Sequence, residues 1–244
     1  MIKWHDFNES FFELPENTLH IWRLKFLDSL TQEQFDLGLS LLDANSKKSA
    51  LRFKFRHLQE KHIQTQVTLR KLLSGYLGLN PADKKIEFKK AKHGKPYLAS
   101  NSQNIMFNIT HSNDYALFAF IKNKEIGIDI EKIADRPYME LAERFFSKAE
   151  FELLSKLNPD DQKIGFFKIW TRKEAYLKAI GEGLSHPLDN FSVNISDNAK
   201  FLDKKLNDKW LMGNLDLGGF YCGSWVCELN LEGDIEKLDK TYYI

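Results

Sequence analysis

The chain has 244 residues, of which 43% are hydrophobic and 28% charged, so it can bury a sizeable core and is not an intrinsically disordered protein. Its formal net charge of +1 at pH 7 gives no support for broad electrostatic capture of nucleic acid or of an anionic membrane, so any phosphate site must be local. The apolar runs fall far short of the roughly 20 residues that span a bilayer, and the first ten residues contain no signal-peptide core.

The chain contains two cysteines, Cys222 and Cys227, in a segment with strand-like composition. Residues five apart in a strand point to opposite faces, so we expect neither a disulfide between them nor a zinc site. Together with the lack of a leader and of a membrane span, this predicts a soluble cytoplasmic protein.

Strands and helices are predicted to alternate along the first half of the chain. Residues 18–24 form a strand, and residues 31–42 form a helix with Thr31 as N-cap and Gln34 completing a capping box. A basic segment follows, and the apolar spacing of residues 57–76 then predicts a long helix. The basic segment contains Lys47, Lys48, Arg52, Lys54 and Arg56.

Shorter elements lead to the middle of the chain. Residues 86–88 are predicted as a strand and residues 93–96 as a turn. Two longer strands follow, at 105–109 and 115–121, which places His111 in the strand-to-loop turn between them.

The second half opens on the alternating sequence IGIDIEKI. Every second side chain of a strand faces the same way, so the isoleucines predict a buried face and the other residues a polar face. The buried set is Ile126, Ile128 and Ile130, and the opposite set is Gly127, Asp129 and Glu131. Residues 141–157 are predicted as helical, with Ser147 as an internal N-cap, and residues 158–160 end that pattern.

Residues 166–184 predict the helix around which the chain is organised, ending where Gly181 and Gly183 favour a left-handed C-cap. Its apolar stripe is Phe166, Ile169, Trp170, Tyr176, Leu177 and Ile180. Lys173 projects from this stripe, which is an unusual place for a charge. The last sixty residues are predicted to form strands, at 191–195 and 220–229.

Three carboxylates are predicted to converge. Asp129 and Glu131 face the same way on a strand, and Glu174 lies on a helix that must pack nearby to bury its aromatic stripe. Converging carboxylates repel one another unless a cation neutralises them, and all-oxygen ligation suits a hard ion, above all Mg²⁺. The alternative is that Asp129 and Glu131 form the polar face of a half-buried strand and that Glu174 and Lys178 are an ordinary helix pair.

A magnesium ion in such a site usually binds substrate phosphates as well, and those phosphates require cationic partners. The chain supplies three candidates: Lys95 after Gly94, His111, and Lys178 one helical turn beyond Glu174. Taken alone, Lys95 is better explained as a solvated turn lysine and His111 as a satisfied structural histidine.

Five motifs in this order resemble the phosphopantetheinyl transferases of the two-lobed, surfactin-synthetase-activating type. They are GKPYL (94–98), FNITHS (107–112), GIDIEKI (127–133), FFSKAEFELL (145–154) and WTRKEAYLKAIGEGL (170–184). The similarity covers roughly residues 50 to 195 and is specific, because GIDIE followed some forty residues later by W-[ST]-x-K-E-x-x-x-K is hard to match by accident.

The resemblance implies an α+β fold of two similar α/β lobes, residues 1–122 and 123–244, related by pseudo-twofold symmetry with the active site at their interface. It also implies the reaction. The 4′-phosphopantetheine of coenzyme A is transferred to a serine hydroxyl of an apo acyl or peptidyl carrier protein, and adenosine 3′,5′-bisphosphate is released. The faint internal repeat, TLRKLLSGYLGL against TRKEAYLKAIGEGL, would follow from such symmetry.

The residue roles also follow from the resemblance. Asp129, Glu131 and Glu174 fall on the metal ligands, Glu174 on the general base, and Lys178 on the group that protonates or steadies the leaving phosphate. The remaining matched positions, Lys95, Thr110 and His111, fall on coenzyme A contacts, with Lys47 and Arg52 as candidates for holding the nucleotide.

Three functions are compared. A Mg²⁺-dependent phosphopantetheinyl transferase, expected to be monomeric, is favoured over a non-catalytic module that binds coenzyme A or a carrier protein, and over a nucleotide phosphohydrolase. The carrier is left open among fatty-acid, polyketide and peptide-synthetase types. Residues 133–156 are the candidate docking surface for its acidic helix, with Arg136 and Arg144 as cations.

Overall fold

The computed structural model describes residues 4–6, 13–79, 86–183, 186–229 and 236–242 and has a mixed α/β architecture. The α-helices of the described residues are α1 (Gln32–Ser40), α2 (Ala44–Leu51), α3 (Arg56–Leu77), α4 (Tyr138–Phe145), α5 (Lys148–Ser155), α6 (Pro159–Ile180) and α7 (Lys204–Lys209). The strands are β1 (Trp4–Asp6), β2 (Thr18–Lys25), β3 (Phe88–Lys90), β4 (Pro96–Leu98), β5 (Ile105–Ser112), β6 (Tyr115–Lys122), β7 (Ile126–Lys132), β8 (Trp210–Leu215), β9 (Tyr221–Glu228) and β10 (Glu236–Tyr242). No helix in these ranges combines the length and the apolar composition that crossing a membrane requires.

The strands form three sheets. A five-stranded sheet has the order β1-β10-β2-β6-β5, a three-stranded sheet has the order β7-β9-β8, and β3 pairs with β4. β10 runs parallel to both of its neighbours, whereas β6 is antiparallel to both β2 and β5. The C-terminal strand therefore belongs to the sheet built by the first half of the chain, so sheet membership departs from the predicted division at residue 122.

The two larger sheets lie face to face between the two long helices. One buried cluster joins Leu69 and Leu72 of α3 to Trp22 and Phe118 of the five-stranded sheet. The alternate side chains of that sheet meet the three-stranded sheet in a second cluster, which contains Ile21, Leu117, Ile128 and Trp225. A third cluster joins the far face of the three-stranded sheet to α6 through Val226, Phe167 and Leu177. The layers are therefore α3, five-stranded sheet, three-stranded sheet and α6.

Polar side chains of β5 connect the edges of the two larger sheets. The side chains of Asn108, Thr110 and Ser112 accept hydrogen bonds from the backbone N–H groups of Ile128, Ile130 and Lys132, at 3.0, 3.4 and 3.0 Å. Because alternate residues of a strand face the same side, these side chains satisfy successive donors along the outer edge of β7. β5 is thereby held beside the strand that carries the predicted carboxylates.

Several predicted elements are confirmed and several are wrong in extent. Thr31 and Ser147 cap α1 and α5, each in a complete capping box. Residues 158–160, predicted as a break, instead start α6: Asn158 is its N-cap and Pro159 its first residue, a position where proline's missing N–H costs no hydrogen bond. The C-cap of α6 is Gly181 at φ +71°, as predicted, and Leu184 lies outside the described residues.

The turn prediction around His111 is wrong. β5 continues to Ser112, because Asn113 at φ +50° makes a tight turn with Asp114 and lets Ser112 pair with Tyr115. Thr110 and His111 therefore lie on a strand. The strand predicted at 191–195 is also absent from this described region, where Val193 forms only an isolated bridge.

Candidate active site

A pocket of about 340 Å³ lies where β5, β7 and α6 meet. It brings together six of the predicted site residues, while Lys47, Arg52 and Lys95 lie outside its lining. The lining residues are Ile109, Thr110, His111, Asp129, Ile130, Glu131, Trp170, Glu174 and Lys178.

Asp129 projects from β7 and is almost completely buried. Its Oδ1 accepts hydrogen bonds from Lys178 Nζ at 2.6 Å and from Thr110 Oγ1 at 3.1 Å. Its Oδ2 is buried and has no hydrogen-bond partner among the described residues. A buried carboxylate oxygen without a partner is costly, so this atom is suited to a cation that the protein does not itself supply.

Glu131, two residues further on the same face of β7, is only half-buried. Its carboxylate lies 3.4 Å from Ser112 Oγ, which donates to it, and 3.7 Å from the guanidinium of Arg136. Burial raises the pKa of Glu131, and the charge of Asp129 raises it further against the opposing effect of Arg136.

Glu174 faces these two carboxylates from α6, one turn after Trp170. Burial and the charge of Asp129 raise the pKa of Glu174 to about 6, with a smaller contribution from Glu131 and an opposing one from Lys178. A carboxyl group with a pKa in this range can accept a proton at neutral pH and hold it more firmly than an exposed glutamate does.

The Lys178 ammonium makes hydrogen bonds to two strands of the pocket. Its ammonium donates to Thr110 Oγ1 at 3.1 Å, to the Ile128 carbonyl at 3.2 Å and to Asp129 Oδ1 at 2.6 Å. These acceptors come from β5 and β7, so the lysine joins α6 to both strands. Its side chain remains 27% exposed and so retains access to a ligand in the pocket.

His111 lies close to the charge of Lys178. Partial burial and the charge of Lys178 lower the pKa of His111, which favours the neutral imidazole at pH 7. Burial and the charge of His111 also lower the pKa of His62 on α3, which lies outside the pocket lining.

The other predicted coenzyme A contacts have different surroundings. Lys95 donates to Glu125 Oε2 at 2.7 Å and to the carbonyls of Ile126 at 3.1 Å and Ala179 at 2.8 Å. Lys47 lies in α2 and the exposed Arg52 caps the end of that helix. Their contacts with coenzyme A stay predictions.

Sequence reasoning missed two parts of the site. Ser112 and Asn108 were not predicted to act, although their spacing with Thr110 in FNITHS is the period of one strand face. The contact between Arg136 and Glu131 was also missed, because it joins a loop to a strand and leaves no periodic signal in the sequence.

Comparisons with known proteins show the family to which the chain is related. A family model described as the 4′-phosphopantetheinyl transferase superfamily matches residues 125–228, and one described as 4′-phosphopantetheinyl transferase, N-terminal, matches residues 29–123. The 4′-phosphopantetheinyl transferase HetI of Nostoc sp. is 38% identical over 70% of this chain and 72% of its own length. The chain belongs to the 4′-phosphopantetheinyl transferase superfamily.

Further relatives carry the same name. The phosphopantetheinyl transferase ffp of Bacillus subtilis is 36% identical over 70% of this chain and 74% of its own length. Sfp of Bacillus subtilis strain 168 is 34% identical over 68% of this chain and 72% of its own length. A solved holo-[acyl-carrier-protein] synthase from Thermotoga maritima covers 45% of this chain and 66% of its own, at 21% identity and a TM-score of 0.34, so the assignment rests on the sequence relatives. Its relatives are enzymes by name, and the protein is assigned as a phosphopantetheinyl transferase.

Proposed function

We propose that this protein transfers 4′-phosphopantetheine from coenzyme A to a serine hydroxyl of an apo acyl or peptidyl carrier protein. The serine oxygen forms a bond to the phosphorus that bears pantetheine, and the bond from that phosphorus to the bridging oxygen of the pyrophosphate breaks. Adenosine 3′,5′-bisphosphate leaves. The observation that carries the proposal is that Asp129, Glu131, Glu174 and Lys178 line one pocket.

The donor set fits a divalent cation of the Mg²⁺ type. All three acidic residues offer oxygen, Asp129 Oδ2 is buried without a described partner, and burial together with the charge of Asp129 raises the pKa of Glu131 and Glu174. Among the described residues, no group of three His, Cys, Asp or Glu side chains is arranged to hold a metal ion by itself. Water and substrate would therefore complete the ligand set. Such an ion supplies charge neutralisation on the pyrophosphate.

The side chains of this pocket have separate roles in the proposal. Glu174 accepts the proton of the carrier serine, directly or through a water molecule, since its raised pKa suits a general base near neutral pH. Lys178 steadies the leaving phosphate with its ammonium, which already lies beside Thr110 and Asp129. Thr110 and His111 line the same pocket and are assigned to coenzyme A, with Lys47 and Arg52 as candidate nucleotide contacts.

Two similar lobes are part of the proposal, with the division near residue 122 and the active site between them. Its support is that α3 and α6 have 22 residues each and end at glycines in the left-handed conformation, Gly78 and Gly181. Each helix covers the outer face of one of the two stacked sheets. Monomeric state and cytoplasmic location remain predictions of the same proposal.

The test is mass spectrometry of apo carrier proteins incubated with this protein, coenzyme A and Mg²⁺. We expect one carrier of the fatty-acid, polyketide or peptide-synthetase type to gain the mass of one phosphopantetheine. The Glu174→Gln variant should keep its fold and lose turnover. Absence of any mass gain across the three carrier types would contradict the proposal, and retained turnover in the variant would remove Glu174 as the base.

The carrier is proposed to dock on residues 133–156, which contain α4 and α5. Arg144 is exposed at the end of α4, with its guanidinium 5.0 Å from the ring centre of Phe145, and the guanidinium of Arg136 lies beside Glu131 at the pocket. A cation next to an aromatic surface suits an acidic amphipathic helix. Arg144→Glu should raise the KM for the carrier about tenfold and leave the KM for coenzyme A unchanged. An unchanged KM for the carrier would argue against this surface.

A further inference from the structure

Lys95 holds three oxygen atoms around its ammonium. They are Glu125 Oε2 at 2.7 Å, the Ala179 carbonyl at 2.8 Å and the Ile126 carbonyl at 3.1 Å. An ammonium has three N–H donors, so this set satisfies all of them. Only 13% of the Lys95 side chain is exposed, and burial lowers its pKa against the opposing effect of Glu125.

The two carbonyl acceptors belong to two elements that the active site depends on, and Glu125 directly precedes one of them. Ile126 begins β7, which carries Asp129, and Ala179 lies in the last turn of α6, directly after Lys178. The carbonyls of a last helical turn have no partner within their own helix, and the negative end of the helix dipole favours a cation there. Lys95 thus supplies from outside the partner that the Ala179 carbonyl lacks.

The backbones of the two elements also approach closely at this point. A Cβ atom placed on Gly127 would lie 2.0 Å from the Ala175 carbonyl oxygen and 2.4 Å from the Ala179 nitrogen, so the backbones of β7 and α6 are in direct contact. The stem of Lys95 runs beside this contact, with its Cδ 3.5 Å from a Cβ placed on Gly181. Lys95 therefore closes the junction between the start of β7 and the end of α6.

If Lys95 bound a phosphate, its three hydrogen bonds to Glu125, Ile126 and Ala179 would have to break. Ile126 and Ala179 are fully buried, so withdrawing the ammonium would leave buried carbonyls without a donor and separate the charge from Glu125. Each buried carbonyl left without a donor costs free energy. Lys178, by contrast, keeps exposure to the pocket while holding its own three acceptors.

We propose that Lys95 is a positioning residue, which clamps the last turn of α6 to the start of β7 and so places the Lys178 ammonium, and that it is not a ligand of coenzyme A phosphates. The inference rests on the role proposed above for Lys178. The clamp joins the β3–β4 hairpin region to the site, so the site's geometry depends on a residue outside its pocket.

Three variants separate the two roles of Lys95. Lys95→Met removes the ammonium, Glu125→Gln weakens the clamp while keeping the ammonium, and Lys92→Met removes an exposed charge from the same turn as a control. In isothermal titration, the Kd of Lys95→Met for coenzyme A should lie within about twofold of that of the unaltered protein. In the carrier assay, its kcat should be reduced about tenfold or more. Glu125→Gln should lower kcat about threefold, and Lys92→Met should change neither kcat nor the Kd for coenzyme A. A tenfold weaker affinity for coenzyme A in Lys95→Met, with Glu125→Gln unaffected, would make Lys95 a phosphate ligand and overturn the proposal.

A second measurement does not depend on catalysis. Amide hydrogen exchange in the last turn of α6 should be faster in Lys95→Met than in Lys92→Met. In the unaltered protein, the ¹⁵N chemical shift of the Lys95 ammonium should not change when coenzyme A is added. Unchanged exchange, or a large shift of that signal on adding coenzyme A, would contradict the clamp. If no carrier is modified at all, the proposed function fails, but amide exchange in α6 still tests the clamp. If Lys95→Met does not fold, the ¹⁵N signal of Lys95 in the unaltered protein tests it.

Discussion

Glu174 is held where a negative charge is unfavourable. It is largely withdrawn from water and faces Asp129 and Glu131, and Lys178 offsets only part of the repulsion. An acid whose pKa is raised by folding binds its proton more tightly in the native state than in the unfolded chain. The stability of the metal-free protein should therefore fall as pH rises from the unfolded pKa near 4.5 through the folded value near 6.

Glu174→Gln should remove the contribution of Glu174 to this pH dependence and leave that of Glu131. In chelator, the variant should be more stable than the unaltered protein by about 1–2 kcal/mol at pH 7.5 and equal to it below pH 4.5, because the neutral amide carries no repulsion. Urea unfolding at several pH values measures this difference in the free energy of unfolding. Glu143→Gln, on the exposed part of α4, is the control and should change nothing. Equal stabilities of Glu174→Gln and the unaltered protein at pH 7.5 would show that the repulsion is relieved in another way.

Lys173, the charge that the sequence placed on an apolar stripe, has a partner in the core. Its ammonium lies 2.8 Å from Glu150 Oε2, and both side chains are fully buried. It also donates to the Leu188 carbonyl at 2.7 Å, while Glu150 Oε1 accepts from the Val193 backbone N–H at 2.8 Å. The pair thereby joins α5, α6 and the segment after the active-site helix.

Breaking this pair from one side should be costly, because the other charge stays buried without its counter-ion. Lys173→Met should lower the free energy of unfolding by about 3–5 kcal/mol. Lys148→Met breaks an exposed pair with Glu152 on α5 and should cost less than about 0.5 kcal/mol. Denaturant unfolding compares the two variants. A loss below about 1 kcal/mol in Lys173→Met would mean that water reaches Glu150.

At the scale of elements, α6 and β7 form the pair on which the site is built. α6 provides Glu174 and Lys178, and β7 provides Asp129 and Glu131. Their backbones touch at Gly127, where no side chain fits. This glycine in GIDIE is therefore explained by the close approach of a helix, and it sets the distance between the strand with Asp129 and the helix with Glu174.

Gly127→Ala should force the helix and the strand apart. Because the new methyl group meets backbone atoms that cannot rotate away, we expect a loss of about 3 kcal/mol or more in stability and a large loss of turnover. Gly219→Ala adds the same group where no atom lies within 4 Å and serves as the control. Thermal unfolding and the carrier assay measure both effects. A stable and active Gly127→Ala protein would mean that the contact yields without cost.

At the scale of the whole molecule, the site lies where the edges of two sheets meet. β5 belongs to the five-stranded sheet and β7 to the three-stranded sheet, yet side chains rather than backbone ladders join them. Thr110 both bridges this junction and contacts Asp129 and Lys178. The stacking of the sheets and the geometry of the charged residues are thus parts of one hydrogen-bonded network.

Asn108→Ala should weaken this junction without touching the pocket. It leaves the buried Ile128 N–H without its acceptor, which costs about 1–3 kcal/mol, and it should lower turnover because Thr110 and Asp129 lose their alignment. Asn45→Ala, on an exposed position of α2, is the control and should be neutral. Chemical denaturation with the carrier assay tests both effects. Full turnover in Asn108→Ala would show that Thr110 keeps its place without the bridge.

The sequence by itself determined the strands and helices with a strong periodic or capping signal, and the face on which Asp129 and Glu131 lie. These depend on local rules, the period of a strand or the bond from a cap to its own helix, which are written in neighbouring residues. The sequence also brought Glu174 and Lys178 to the same candidate site, through the spacing of one helix.

Only the tertiary structure decided the partners that come from distant parts of the chain. The buried pair of Lys173 and Glu150, the clamp of Lys95 on Ala179 and the return of β10 to the first sheet all join residues far apart in sequence. Such contacts are selected by the total packing of the layers and leave no local pattern. Lys95 therefore resembled a phosphate contact in the sequence, and only its three oxygen neighbours distinguish a clamp from a ligand.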